Sequence, residues 1–258
     1  MAKVSVTIIT HNEEANIARC LDAVRWADET IVVDAESADR TVEIARPLAD
    51  KVFVKRWEGF GVQKNFAAAQ AANDWILNID ADEFVTPELA QEIRAVIAGG
   101  RKESAFYIAR RNQFCGRYLK HGGCHPDYQL RLFRRDCGQF NDRLLHERFV
   151  TSGPIGHLQN DLVHWTFPTL DIFFGKFERV TRLGAEHLWA QGKKARLSHF
   201  VGRPLWKFFK SYFLQQGFRD GMPGFLYAAL SAIHVFVRYT KLWEIEHNPN
   251  VREAQKCN

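Results

Sequence analysis

The chain has 258 residues, of which 46% are hydrophobic, 13% aromatic and 25% charged, with a formal net charge of +5. This composition belongs to a folded protein with one large domain, or one domain and an appendage, and excludes disordered, collagen-like and low-complexity classes. The charge is uneven: residues 1–100 hold 10 Lys+Arg against 17 Asp+Glu, and the remainder holds 25 against 13, so a basic, aromatic-rich part suited to an anionic partner follows an acidic one.

The first hundred residues alternate strand and helix signals. Val4–Thr10, Thr30–Asp34, Val52–Val54 and Trp75–Asp80 are short β-branched or apolar runs. A helical pattern with Ile17, Leu21 and Val24 on one face lies between the first two. Helical segments 40–48 and 62–72 separate the others. Thr86-Pro87-Glu88 then opens a further helix, with a Thr N-cap, Pro at the first helical position and an acidic first turn. Strand–helix alternation predicts an α/β fold: a mainly parallel, Rossmann-like sheet with helices on both faces. In such sheets ligands bind beyond the carboxyl ends of the strands. Those ends carry Thr10, His11 and Asn12 after the first strand, Asp34 after the second, and Asp80 and Asp82 after the fourth.

Beyond residue 104 the pattern changes. Residues 105–110 and 129–134 read as strands, and 112–128, rich in Gly, Cys and His, as a loop over the site. Residues 170–190 read as a helix. The segment 199–219 interleaves Trp206, Phe208, Phe209, Tyr212, Phe213 and Phe218 with Lys207, Lys210 and Arg219, and 221–237 carries no formal charge. Its Pro223, Gly224, Tyr227, Ser231 and His234 argue against a membrane span and for an interfacial helix, a shallow re-entrant pair or a packed helical hairpin. The expected organisation is a first domain over 1–165, whose halves 1–100 and 101–165 differ in pattern. A helical membrane-association or packing region over 166–258 follows. Five cysteines without a CxxC pair point to a reducing compartment. His121, Cys124 and His125 crowd together, but at a spacing that fits no common zinc template. The N-terminus enters Val4–Ile9 directly, without a signal-peptide pattern, so the catalytic part is expected on the cytoplasmic side.

Transfer of a sugar from a nucleoside diphosphate leaves a diphosphate whose charge needs neutralising. A divalent cation, Mg²⁺ or Mn²⁺, held by carboxylates does this. Residues i and i+2 of an extended chain point the same way, so Asp80 and Asp82 can share one site. Asp82 is the metal ligand in this reading, Asp80 serves the ribose or the metal, and Glu83 points away on the helix side.

Val6-Thr7-Ile8-Ile9-Thr10-His11-Asn12-Glu13-Glu14, Val32-Val33-Asp34-Ala35-Glu36-Ser37-Ala38-Asp39-Arg40-Thr41 and Asn78-Ile79-Asp80-Ala81-Asp82-Glu83 resemble, in content and order, the three motifs of family 2 inverting glycosyltransferases. The resemblance covers about residues 3–165 and implies the GT-A fold. A finer likeness is to lipopolysaccharide-core enzymes that add β-linked glucose to the inner-core heptose. It rests on Gly59–Asn65, Gln129–Arg134, Leu145-His146-Glu147 and the aromatic C-terminal tail. The family implies that Thr10, Asn12 and Glu13 line the nucleotide pocket, that Asp34 accepts from the uracil ring, and that Ser37 and Lys64 contact ribose or phosphate. Arg131 and His164 are candidate diphosphate or metal contacts. Glu147 takes the place of the general base that removes the acceptor hydroxyl proton, with Asp127 as runner-up. Ala35-Glu36 departs from the Gly or Ser that often follows the second-motif Asp.

The resulting expectation is an inverting hexosyltransferase, moving glucose from a UDP-sugar to a lipopolysaccharide-core or other lipid-linked acceptor. It would sit as a peripheral protein on an anionic membrane surface, the cytoplasmic face of the inner membrane, with no nucleic acid partner. Two alternatives differ in class. A nucleotidyltransferase would need a basic, Gly-rich loop after the first strand, where His11-Asn12-Glu13-Glu14 is acidic. A non-enzymatic basic module binding membrane or nucleic acid would use the basic half alone.

Overall fold

The structure is a computed structural model that describes residues 2–141 and 148–248. Chain contacts divide it into two units: Met1–Arg111 with Pro126–Trp165, and Asn112–His125 with Thr166–Asn258.

The first unit is built on β1 (Val4–Thr10), α1 (Ile17–Asp22), β2 (Glu29–Asp34), α2 (Thr41–Ala45), β3 (Lys51–Val54), α3 (Phe60–Ala69), β4 (Trp75–Asp80), β5 (Glu83–Phe84) and α4 (Pro87–Ala98). The later strands are β6 (Ala105–Phe114), β7 (Arg117–Tyr118), β8 (Asp127–Arg134), β9 (Gly138–Phe140), β10 (Phe149–Thr151), β11 (Ile155–His157) and β12 (Leu162–Phe167). The main path of the sheet runs β3-β2-β1-β4-β8-β6-β12-β5. The pairs β1–β2, β1–β4 and β2–β3 are parallel, and β4–β8, β6–β8 and β5–β12 are antiparallel.

Strand alternation explains the layering. Val4, Val6 and Ile8 of β1, with Val32, Leu77 and Ile79, pack against Ile17, Cys20 and Leu21 of α1 and Leu89, Ile93 and Val96 of α4. The intervening Ile31, Val33 and Ile76 point to the opposite face and meet Ala67 and Ala71, in and just after α3. Helices therefore cover both faces, and a strand buried on both sides reads as a continuous apolar run, as β1 and β2 do. Thr86 caps α4, its side-chain oxygen accepting from the Leu89 N–H at 3.2 Å, and Pro87 occupies the first turn where no N–H is required.

The second unit contains α5 (Leu170–Ala190), α6 (Leu197–Phe200), α7 (Gly202–Phe209) and α8 (Gly221–His247), with a π turn at Lys210–Leu214 and a short 3₁₀ turn at Gly217–Asp220. Of the alternatives for 221–237, the segment forms part of a single 27-residue helix and not a re-entrant pair or a hairpin. Pro223 lies in its first turn, where a missing donor costs nothing. Gly224 lets this helix start close to the preceding turn: a Cβ there would stand 2.0 Å from the Gly217 carbonyl oxygen.

The expected loop over 112–128 is partly strand. β6 continues to Phe114 and turns back antiparallel into β7 through Cys115 and Gly116, whose φ values of 47° and 77° are those of a two-residue hairpin turn. Residues 112–125 then group with the C-terminal helices. Asp220 accepts from the Lys120 and His121 N–H groups at 3.0 and 2.8 Å, and its other oxygen lies 2.8 Å from His121 Nδ1. That carboxylate accounts for His121, which the sequence placed near a conceivable zinc site.

Candidate functional site

The parallel register lines up the polar strand ends. Thr10 stands opposite Asp34 across β1–β2, and Ile9 opposite Asp80 across β1–β4. Neighbouring strands lie about 4.8 Å apart, so the first, second and third motifs meet at one edge of the sheet. The Thr10 hydroxyl is buried there without a hydrogen-bond partner.

The first two motifs interlock. Asn12 has φ 54°, a left-handed conformation that Asn tolerates. Its N–H donates to Ser37 Oγ at 2.8 Å, and its side-chain oxygen accepts from the Ala38 N–H at 2.8 Å. The Glu13 N–H donates to Thr41 Oγ1, and His11 Nδ1 lies 2.8 Å from the Ala35 carbonyl. Asp34 is fully buried and accepts from the Ser37 N–H at 2.7 Å and the Ser37 hydroxyl at 2.5 Å. Ala35-Glu36 forms the turn between them, with Glu36 at φ 57°.

The third motif opens a buried ion network. Asp80 Oδ2 accepts from Arg131 Nη2 at 2.5 Å, and Asp80 Oδ1 lies 3.5 Å from Lys64 Nζ. Burial alone would raise the Asp80 carboxyl. The Arg131 guanidinium and the Lys64 ammonium outweigh it and hold the group far below the usual carboxylate range. Burial would likewise lower Arg131, but Asp80 and Glu83 carry it above its ordinary value. Glu83 corrects the sequence reading. The chain turns at Ala81 and Asp82 instead of staying extended, and Glu83 begins β5, fully buried, with Oε1 on Arg131 Nη2 at 2.5 Å and 3.2 Å from Arg110 Nη1. Its other oxygen accepts from the Asp80 N–H at 3.0 Å. Arg110 in turn donates to Asp127, its cross-strand partner, at 2.9 and 2.6 Å.

Arg131 reaches this network through a β-bulge. Phe106 pairs with Leu132 and Tyr107 with Leu130, which leaves Arg131 as the extra residue of β8. Sequence reasoning missed Arg110 and Glu83. The only signal for Glu83 was its place directly after the Asp80-Ala81-Asp82 motif, and for Arg110 a charged residue within an apolar strand.

Asp82 faces a different partner. Its Oδ1 lies 3.5 Å from His164 Nε2, on the β12 residue that pairs with Glu83. Behind the turn, Cys20 Sγ lies 3.8 Å from the Asp80 carbonyl oxygen. Burial, followed by Glu83, Asp82 and Asp80, pushes its thiol well up, so it stays protonated. No group of three His, Cys, Asp or Glu converges as a metal cluster among the described residues. The donor chemistry still fits a hard divalent cation. Asp82 offers a carboxylate beside an imidazole, and Asp80 Oδ1 is buried without a hydrogen-bond partner. Such cations take remaining ligands from substrate phosphates and water. Glu147, the expected general base, lies outside the described residues.

A Rossmann-like sheet with polar strand ends gathered at its carboxyl edge defines the class, and the comparisons define the family. The model of glycosyl transferase family 2 matches residues 5–151, and the chain belongs to that family. Its fold is the GT-A type with a helical, aromatic-rich C-terminal extension. The protein is therefore a glycosyltransferase, which displaces the nucleotidyltransferase and non-enzymatic alternatives. An uncharacterized glycosyltransferase of Rickettsia typhi is 34% identical over 257 residues, covering 95% of this chain and 88% of the relative. The lipopolysaccharide core biosynthesis glycosyltransferase LpsC of Rhizobium meliloti is 27% identical, covering 97% and 96%. Among solved structures, residues 1–349 of TarS from S. aureus align at 16% identity and a TM-score of 0.45, covering 98% of this chain and 92% of that one.

Proposed function

We propose that the protein is an inverting hexosyltransferase that moves glucose from UDP-glucose to a lipopolysaccharide-core or related lipid-linked acceptor. The observation that carries this reading is the strand register that sets Thr10, Asp34 and Asp80 side by side at one sheet edge. Three polar strand ends in adjacent register form a pocket of the kind that open α/β sheets use for nucleotides. The acceptor class draws support from the printed function of the Rhizobium relative.

Thr10, Asn12, Glu13, Asp34 and Ser37 form the nucleoside end in this reading. The fully buried Asp34, held by Ser37, fixes the shape of the loop on which the base rests. Lys64, Asp80 and Arg131 form the diphosphate end, where the cations Lys64 and Arg131 are already placed and desolvated. Asp82 and His164, with Asp80, would hold a divalent cation, which supplies charge neutralisation for the departing diphosphate when bound. Glu147 is the base that takes the acceptor proton. Asp127 is the weaker candidate because Arg110 and Gln129 already engage its carboxylate.

The helical region is the membrane-facing part in this proposal. Leu205, Trp206, Phe209 and Phe213 are exposed beside the exposed Lys210. Apolar and basic residues together suit an anionic bilayer surface, here the cytoplasmic face of the inner membrane. By length and composition Gly217–His247 could also cross a membrane, but α8 packs along α5 and α7 and carries Arg238 and Lys241.

The test is UDP release by the purified protein with a panel of UDP-sugars. Turnover is expected with Mn²⁺ or Mg²⁺ and lost in EDTA. Asp82→Ala is expected to lower kcat by about 100-fold or more, the scale of losing a main electrostatic stabiliser of the leaving group. Undiminished turnover in EDTA, or in Asp82→Ala, would contradict the metal-assisted reading.

A further inference from the structure

The C-terminal unit holds a half-open pocket of about 440 Å³, lined by Phe167, Phe173, Lys207, Tyr227, Ser231, His234, Val235 and Arg238. The last five lie on α8 at helical spacing, along one face. Its size falls within the range of small-molecule sites, which are mostly apolar with a few placed polar groups. Aromatic and aliphatic walls with two cations match that description.

Arg238 lies over the Tyr239 ring at 5.4 Å, but neither cation has its charge matched by an anion among the described residues. Lys241, one turn further along α8, pairs with Glu178 at 3.1 Å. Among the described residues, neither Lys207 nor Arg238 has a carboxylate partner. Arg238 Nε is buried and makes no hydrogen bond. Its stem is pinned against α5, since a Cβ on Gly184 would stand 2.8 Å from Arg238 Cδ. Between them sits His234, edge-on to Phe177 at 5.5 Å. Burial, then Arg238, Lys207 and Lys241, push its imidazole down to about 4, so it adds no charge at neutral pH. Half-buried cations without a carboxylate partner are costly, and an anion entering the pocket removes that cost.

We propose that this cavity is a binding site for a phosphate ester carried on an alkyl chain. Arg238, Lys207 and the Ser231 hydroxyl take the phosphate, and Phe167, Phe173 and Val235 take the first carbons of the chain. The lining favours this chemistry over a sugar, which would need more hydrogen-bond acceptors, and over a neutral hydrocarbon, which would leave both cations unmatched. The inference concerns binding and stands apart from the donor chemistry.

Calorimetric titration of the full-length protein with dodecyl phosphate below its micellar concentration tests it. Dodecyl maltoside and inorganic phosphate are the controls. One-to-one binding of dodecyl phosphate is expected, at least about 10-fold tighter than either control, the equivalent of one charge-assisted hydrogen bond. Arg238→Gln removes the anion contact and Val235→Trp fills the space, and each should weaken binding by a similar factor while the melting curve stays cooperative. In the wild-type protein, which needs no variant to fold, the His234 ring resonance should titrate at higher pH when dodecyl phosphate is bound. Equal affinity for dodecyl maltoside would reduce the cavity to an apolar slot. Equal affinity for inorganic phosphate would make it a free-anion site. Unchanged binding in both variants, or an unmoved His234 titration, would place the ligand elsewhere. Each of these results overturns the proposal.

Discussion

Glu83 is the residue whose surroundings most constrain its neighbours. It is fully buried, it holds Arg131 and Arg110, and it accepts from the backbone at Asp80. Removing one partner of a buried pair leaves a desolvated charge and costs about 3–5 kcal/mol. Arg131→Met is expected at the lower end, about 3 kcal/mol, because Arg110 still faces Glu83. Urea unfolding measures this, and in the Glu83→Gln background the same change should cost less than half as much. A cost unchanged in that background would show that Arg131 acts through Asp80 or through packing and not through the Glu83 pair. At this scale the sequence revealed the ends of strands and concealed what crosses between them. Thr10, Asn12, Asp34, Ser37, Asp80 and Asp82 were legible because each belongs to a short contiguous motif. Glu83 was misread because the extended geometry was carried past Asp80, where the chain turns. Arg110 meets Glu83 from 27 residues away and Arg131 meets Asp80 from 51, separations that no local pattern encodes.

Among the elements, the helices and parallel strands of the first hundred residues were legible nearly to their bounds, as β1, β4 and the Thr86-capped α4 show. Their signals are local: β-branched runs, helical periodicity, a cap and a proline. The segment 112–128 was less legible. Its glycines and polar residues signal turns, but a two-residue hairpin and a capping carboxylate a hundred residues downstream do not announce themselves in composition. The start of α8 was also opaque, because Gly224 reads as a helix breaker when it is in fact a point of close approach. Gly224→Ala should destabilise the protein despite the better helix propensity of alanine. The new methyl meets the Gly217 carbonyl, and overpacking of this kind costs about 1–3 kcal/mol. Gly175→Ala, in α5 where a Cβ meets nothing within 4 Å, should be neutral or slightly stabilising. Thermal melts of the two variants make the comparison, and equal shifts would refute the close-approach account.

For the whole molecule, the uneven charge seen in the sequence becomes a division of labour: an acidic first part carrying the strand-end site, and basic helices with an exposed aromatic surface. Flotation with vesicles is the matching measurement. The protein should float with vesicles containing anionic lipid, less so as salt rises and screening shortens electrostatic reach to about 8 Å or less. It should stay behind with purely neutral vesicles. Replacing Trp206 and Phe209 with Ser should abolish flotation while UDP-sugar hydrolysis in solution persists. Flotation unaffected by these changes would move the docking surface elsewhere. The Asp220 carboxylate that caps Lys120 and His121 carries a last consequence, one of timing. A chain emerging from the ribosome presents 112–125 about a hundred residues before its partner exists, and domains generally settle in the order of their synthesis. The Lys120 and His121 amides therefore wait, bound to water, until residue 220 has been made. The second unit thus closes only after residue 220, although its first piece is translated between the two segments of the first.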